Sequence, residues 1–449
     1  MKKNLVLLVI IFACMFVALS TTAETIKVNH IATDDGYRLF VKNHPDIEII
    51  WDEKFYFTKY ELSNALLTGE LDSDVFFLST YLHDCRTVME KEYCLDLSGS
   101  EIINNEIKRL WTSIENQLVM DNKIFAIPIG IGFDYYYCNP EAWEIAQLEV
   151  NDIPKSFPEF LDFLDKWIIR MENDSENISI KYNWDETLYT EYSYAQWLIE
   201  EIITNHIMQS QYKRIPLRFD DPELVELLER AKNIGYSLYS CDPAYKGSLQ
   251  LFESPAQNSW KGDMKNRMLS LRINKNQPHL IAATLDMVVI NPETMNKDLA
   301  LELLENQISH LDPFIKVYLY QDAEPLKNTN YESDIATQQA FIDENLKQLE
   351  NPDLDVYEKE DLEISLKNRL KVMESIKTRE YLVSAEKLED YKFFADSLYF
   401  LPPSIFISTT KEGQTVLKLK KNYATGSITT QEFVNELNRI AQMIEMEME

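Results

Sequence analysis

The segment Asp74-Val75-Phe76-Phe77-Leu78 constrains the fold more than any other stretch of the 449 residues. Behind its leading aspartate it is wholly apolar, a strand to be buried on both faces. Such strands belong to parallel sheets covered by helices. Upstream, residues 25–31 alternate and are β-branched, a first strand, and the turn-forming Asp34-Asp35-Gly36 breaks it. Residues 37–42 read as a helix ending before His44-Pro45, 47–51 as a second strand, and 61–67 as a short helix stopped by Gly69. Strand–helix–strand–helix order specifies an α/β fold with a parallel sheet. Ligands in such sheets sit beyond the carboxyl ends of the strands. That rule singles out the loops 32–36 and 79–81.

Further along, residues 124–131 and 134–139 form two apolar strands interrupted by Pro128, Gly130 and Gly132. A helix over 158–171 gathers Phe160, Phe163, Leu164, Trp167 and Ile168 on one face. Residues 182–197 are dense in aromatic side chains. Beyond Tyr331 the composition shifts to acidic helix formers. Ile335, Ile342, Leu346 and Leu349, then Leu362, Leu366, Leu370, Met373 and Ile376, predict an antiparallel helical hairpin over about 331–377 with an apolar seam. Ser384 is placed to cap another helix, and a last one runs from Thr430 onward.

Charge and composition exclude several functions. Lys and Arg total 44 against 74 Asp and Glu, a net charge of −30. This opposes binding to nucleic acid or to anionic lipid, both of which require a basic surface. Only 10 glycines occur, with no G-x-x-x-x-G-K or G-x-G-x-x-G, so no phosphate-cradling loop or nucleotide cofactor is expected. The histidines are single and no C-x-x-C or H-E-x-x-H is present, so neither is a metal. No G-x-S-x-G elbow occurs either, and the expectation is a non-enzyme.

The first residues predict export. Lys2 and Lys3 precede an apolar run over 5–19, followed by Ser20-Thr21-Thr22-Ala23, the pattern of a cleaved signal peptide over 1–23. The run is shorter than the ~20 residues of a membrane span, although an uncleaved anchor is the alternative. Cys14 is followed by Met15-Phe16-Val17, unlike a lipidated cysteine that begins a polar mature chain. The protein is therefore expected beyond the cytoplasmic membrane, periplasmic or associated with the cell surface. That compartment permits disulfides, and Cys85 and Cys94 are near enough in sequence to form one; buried thiols are the other reading.

Several segments stand out, in one order along residues 24–449. They are Phe40-Val41-Lys42-Asn43-His44-Pro45-Asp46-Ile47 ahead of the second strand, and Leu66-Leu67-Thr68-Gly69 through Asp74-Val75-Phe76. Cys94-Leu95-Asp96-Leu97-Ser98, Asp121-Asn122-Lys123-Ile124-Phe125-Ala126-Ile127-Pro128 and Tyr137-Cys138-Asn139-Pro140 follow. Later come Ile153-Pro154 to Trp167, Ile290-Asn291-Pro292 with Leu299–Leu304, and Tyr423-Ala424-Thr425-Gly426 to Phe433. In that order they resemble the extracellular solute-binding proteins of ABC importers, the sugar- and oligosaccharide-binding class related to maltose-binding protein. Asn122 stands where that family favours Gly, Phe157 replaces a usual Trp, and the lipidation cysteine of many members is missing.

The resemblance implies two α/β lobes, joined by a multi-strand hinge, that close on a ligand, with the hairpin as an addition. Lobe one would comprise 24–129 plus 279–320, and lobe two 130–278 plus 321–449, with 128–132 as one hinge crossing. It implies a monomer that takes a small solute, most readily a carbohydrate, to a membrane permease. Neutral sugars are held by aromatic faces and by hydrogen bonds to their hydroxyls. The candidate ligand-binding residues are Asp34, Asp35, Ser79, Thr80 and Tyr81 in lobe one. In lobe two they are Trp184, Tyr189, Tyr192 and Trp260. A ligand-binding partner of a membrane sensor would share this fold, and a secreted glycoside hydrolase is the enzyme alternative. Amino acids, peptides and polyamines remain open as ligands.

Overall fold

The structure, a computed structural model, describes residues 24–29, 33–52, 59–133, 135–173, 178–181, 190–241, 249–253, 267–269, 271–352, 354–402, 406 and 413–448. The strands of its two larger sheets are β1 (Thr25–Val28), β2 (Glu48–Trp51), β3 (Val75–Ser79), β4 (Ile127–Phe133), β5 (Tyr136–Cys138), β6 (Ile178–Lys181), β7 (Leu249–Glu253), β8 (Met268–Leu269), β9 (Ile281–Ile290) and β10 (Leu398–Phe400). The helices used below are α1 (Asp35–Asn43), α2 (Phe157–Asn173), α3 (Ser193–Tyr212), α4 (Pro222–Cys241), α5 (Lys297–Ser309), α6 (Tyr331–Leu349), α7 (Val356–Lys377) and α8 (Thr430–Met448). The chain divides into two discontinuous units. The first draws on residues up to Gly132, Ala282–Asp312 and Tyr399–Lys418; the second on Phe133–Ile281, Pro313–Leu398 and Leu419–Glu449. No helix among the described residues is long and apolar enough to cross a membrane.

In the first unit the sheet order is β10-β9-β3-β1-β2, with β4 also pairing β9. β1 runs parallel to β2 and to β3, while β9 is antiparallel to β3 from Asp286↔Ser79 to Ile290↔Val75. Every residue of β3 is buried, as its apolar run dictates. β2 is the edge strand, which leaves Ile50 and Trp51 exposed despite their apolar character. Asp74, at the head of β3, ties three segments together. Its carboxylate accepts from Lys27 N–H at 2.7 Å, from Asn296 Nδ2 at 3.2 Å and from the Thr294 hydroxyl. The break expected at Asp34-Asp35-Gly36 is the start of α1: Asp34 is its N-cap and Gly36 lies in its first turn. Glycine is required there because α1 packs against α5 so closely that a Cβ would lie 2.4 Å from the Asn306 carbonyl oxygen. Gly69, at φ +69°, ends the helix Lys59–Thr68 as the sequence predicts.

The second unit has the sheet β8-β5-β7-β6, in which β6 and β7 are parallel and β5 is antiparallel to both β7 and β8. α2 covers it with Phe160, Leu161, Leu164 and Trp167 buried. The rings of Trp143, Phe163 and Trp167 stack in a column at 6.0 and 6.2 Å with interplanar angles of 8° and 9°. α3 and α4, two helices of 20 residues, pack tightly through Gly235, where a Cβ would lie 2.3 Å from both Cα and N of Ala195. Lys420 is fully buried against Glu200 at 2.9 Å.

α6 and α7 form the helical hairpin. Its seam differs from the expected one, because Leu346 and Leu370 are exposed. Ile342 and Met373 are buried between the helices. Polar groups fill the rest: Gln338 donates to the Arg369 carbonyl at 2.8 Å, and Asn345 to Ser365 Oγ at 2.9 Å. Ser384 Oγ accepts from Lys387 N–H at 3.3 Å and caps the helix Ala385–Ala395. Cys85, Cys94 and Cys138 are buried free thiols.

Candidate ligand-binding site

In the first unit the candidates lie at the carboxyl ends of β1 and β3. Asp34 uses one carboxylate oxygen to cap α1, accepting from Tyr37 N–H at 3.1 Å. Its other oxygen, Oδ2, is buried without a hydrogen-bond partner. Burial raises its pKa above the ordinary carboxylate value, against the lowering pull of the Tyr37 and Gly36 N–H groups. Asp35 instead faces solvent and pairs with Arg38 at 3.2 Å. Ser79 and Thr80 are both buried. The Ser79 N–H donates to Nδ1 of the buried His83 at 3.0 Å, which makes that nitrogen an acceptor. Thr80 Oγ1 accepts from Leu285 N–H at 2.9 Å, and its own N–H donates to the Leu285 carbonyl at 3.0 Å. Thr80 thus braces β3 against β9, and Tyr81, 42% exposed, is the member of the trio that presents a ring to solvent.

In the second unit, Tyr192 is the N-cap residue of α3 without a capping side-chain bond, and Lys421 lies 5.5 Å from its ring centroid. Trp184, Tyr189 and Trp260 lie outside the described residues. β6 and β7 are parallel neighbours, so Lys181 and Glu253 end them on one carboxyl edge of the sheet.

That same edge carries a polar aromatic cluster that the sequence reading did not single out. The Tyr136 hydroxyl donates to Glu201 Oε1 at 2.8 Å, and Trp197 Nε1 lies 3.2 Å from the same oxygen and 3.1 Å from the Tyr136 hydroxyl. The Tyr136 and Trp197 rings meet edge to face at 5.9 Å. Glu253, the last residue of β7, accepts from the Tyr137 hydroxyl at 2.9 Å and from Asn139 Nδ2. Burial and the Glu253 carboxylate push the Tyr137 phenol far above its ordinary value, so it stays a donor. A signal existed in the pair Tyr136-Tyr137 at the head of a strand, but Glu201 lies within a helix among many acids and nothing local marks it. No group of three His, Cys, Asp or Glu side chains among the described residues could hold a metal ion.

No protein-family model matches the chain, and no curated protein matches it by sequence. Solved structures do. A chitin oligosaccharide binding protein matches with TM-score 0.51 at 10% identity, over 94% of this chain and 98% of its own. An ABC substrate-binding protein from Listeria monocytogenes, in complex with cycloalternan, matches with TM-score 0.50 at 11% identity over 94% and 98%. Maltose-bound MalE3 of T. maritima matches with TM-score 0.50 at 12% identity over 94% and 100%. The chain has the solute-binding-protein fold. In that fold's terms, the two sheets found here carry candidate residues at the carboxyl ends of their parallel strands, which is where an α/β sheet exposes a site.

Proposed function

We propose that the chain is the extracytoplasmic substrate-binding component of an ABC importer, a monomer that captures a small carbohydrate and delivers it to a membrane permease without chemical change. The supporting observation is the fold, shared along nearly the whole chain with proteins described as binding chitin oligosaccharide, cycloalternan and maltose. The edge of the second sheet adds chemistry of the right kind. Glu201 and Glu253 accept hydrogen bonds from phenol, indole and amide donors, and carboxylates accept equally well from sugar hydroxyls. Tyr136, Tyr192, Trp184, Tyr189 and Trp260 supply apolar ring surface for C–H faces of a sugar. Asp34 and Tyr81 are the first unit's contributors, with Asp35, Ser79 and Thr80 alongside them. The apolar run over 5–19 is read as the export signal, and residues 1–23 lie outside the described structure.

The reading is tested by a thermal-shift screen of mono- and oligosaccharides, amino acids, short peptides and polyamines. A ligand at one hundred times its Kd stabilises by about 2.7 kcal/mol, a shift of several degrees. Saturable shifts confined to carbohydrates support the proposal; shifts by polyamines or peptides alone would replace its ligand class. Release of reducing ends from a glycan panel would make the protein a hydrolase instead.

A further inference from the structure

The second unit contains a groove lined by none of the candidate residues above. It encloses about 450 Å³ between the turn that carries Leu148, Asn151, Asp152, Ile153 and Pro154 and one face of α2. The α2 face presents Glu159, Asp162, Phe163, Lys166, Trp167 and Arg170, which recur at helical spacing. This volume falls in the range of small-molecule sites, which are typically about 300–1,000 Å³. Leu148, Ile153, Pro154, Phe163 and Trp167 supply the apolar part of its wall.

The charged rim is almost entirely committed. Asp152 Oδ2 accepts from Glu149 N–H at 2.7 Å, and Glu159 Oε2 from Lys155 N–H at 2.9 Å. Asp162 pairs with Arg230 at 2.7 Å. Arg170 donates to the Ala146 carbonyl and lies 5.4 Å from the centroid of the Trp167 ring. Lys166 alone, among the charged residues of this rim, has no ion pair or hydrogen bond among the described residues. What Lys166 lacks is an acceptor, and beside it lie the apolar side chains of Leu148, Ile153, Pro154, Phe163 and Trp167. We propose that the groove is a second binding site, for a small organic carboxylate with an apolar body.

The net charge of −30 does not forbid this. Asp152, Glu159, Asp162 and Asp165 stand against Lys166, Arg170 and the Arg230 guanidinium that Asp162 and Asp165 share, so the local excess is a single negative charge. Distant charges are screened beyond about 8 Å at physiological ionic strength. Binding is therefore weak and salt-dependent, and it does not rest on the proposed transport role.

Trp167 supplies the readout. Its indole Nε1 is buried and makes no hydrogen bond, so its NMR signal is free of a competing partner. The signal is assigned in protein carrying ¹⁵N-labelled tryptophan by its loss in Trp167→Phe. Benzoate should shift it saturably, while benzylamine, the same ring bearing the opposite charge, should not. Lys166→Gln should weaken benzoate binding about three- to tenfold, and Lys166→Arg should retain it. Absence of a saturable benzoate shift would overturn the proposal. So would an equal response to benzylamine, or benzoate affinity unchanged by Lys166→Gln.

Discussion

Gly235→Ala puts the packing of the second unit to a test in which even the sign is informative. In an isolated helix this change is favourable by about 0.8–1 kcal/mol, because alanine loses less backbone freedom. Here the added methyl would meet Ala195 Cα and N at 2.3 Å and its Cβ at 2.6 Å. Carbon atoms pack best at roughly 3.5–4.0 Å, so α3 and α4 must part by more than an ångström along helices of 20 residues each. Overpacking of this kind costs about 1–3 kcal/mol. After the propensity gain, a net loss of up to about 2 kcal/mol remains, a fall in Tm of up to roughly 6 °C for a unit of this size. Tryptophan fluorescence is the suitable probe, because Trp143, Trp167, Trp184, Trp197 and Trp260 belong to the second unit. Gly99→Ala, with nothing within 4 Å of its Cβ, is the control and should melt like the parent. If Gly235→Ala melts above the parent temperature, as helix propensity alone would have it, the close helix contact is wrong.

Acid should weaken the fold through His279. Burial, aided by the Arg272 charge, lowers its pKa from 6.5 to about 4. The unfolded chain therefore binds a proton that the native state refuses, so this contribution is complete above about pH 6.5 and is lost as pH falls toward 4. Denaturant melts over that window should show the loss, and His279→Gln should flatten it; an unchanged slope would refute the assignment. Cys85, Cys94 and Cys138 should resist a thiol reagent in the native protein while Cys241, partly exposed, reacts, because burial raises the pKa of the first three thiols. Fast labelling of Cys85 or Cys94 would contradict their burial. Trp167→Ala truncates a buried ring and should cost about 3–5 kcal/mol of stability, visible in Tm. Trp184→Ala and Trp260→Ala should instead weaken sugar binding by roughly ten- to hundredfold, as the loss of a stacking face does. Normal binding with a lowered Tm in both would remove them from the site.

Local pattern carried much of the fold. The apolar run of β3 announced a strand buried on both faces, Gly69 announced a left-handed helix end, and Ser384 announced a cap. α3 escaped notice for a physical reason: it is buried around most of its circumference, Tyr194, Trp197, Leu198, Ile202 and Ile203 included, so no amphipathic period survives. Its start falls within the aromatic-dense segment 182–197. The break at Asp34-Asp35-Gly36 is a helix start because Asp34 caps it, a local signal that turn chemistry shares, whereas only the close packing of α5 explains the glycine in its first turn. The hairpin seam misplaced Leu346 and Leu370 because spacing alone could not show that Gln338, Asn345 and Arg369 occupy part of it. Of the candidate site, the strand-end rule names the loops after β1 and β3. Glu201 and Glu253 required the partners that the folded sheet brings to them, Tyr136, Trp197, Tyr137 and Asn139.

The central claim is that this chain binds a carbohydrate and leaves it intact. Isothermal titration of the exported chain with chito- and malto-oligosaccharides, followed by chromatography of the recovered glycan, measures both halves at once. The account predicts saturable heat with one ligand per chain and unaltered oligosaccharide. Absence of heat with every glycan, or recovery of shortened products, would contradict it.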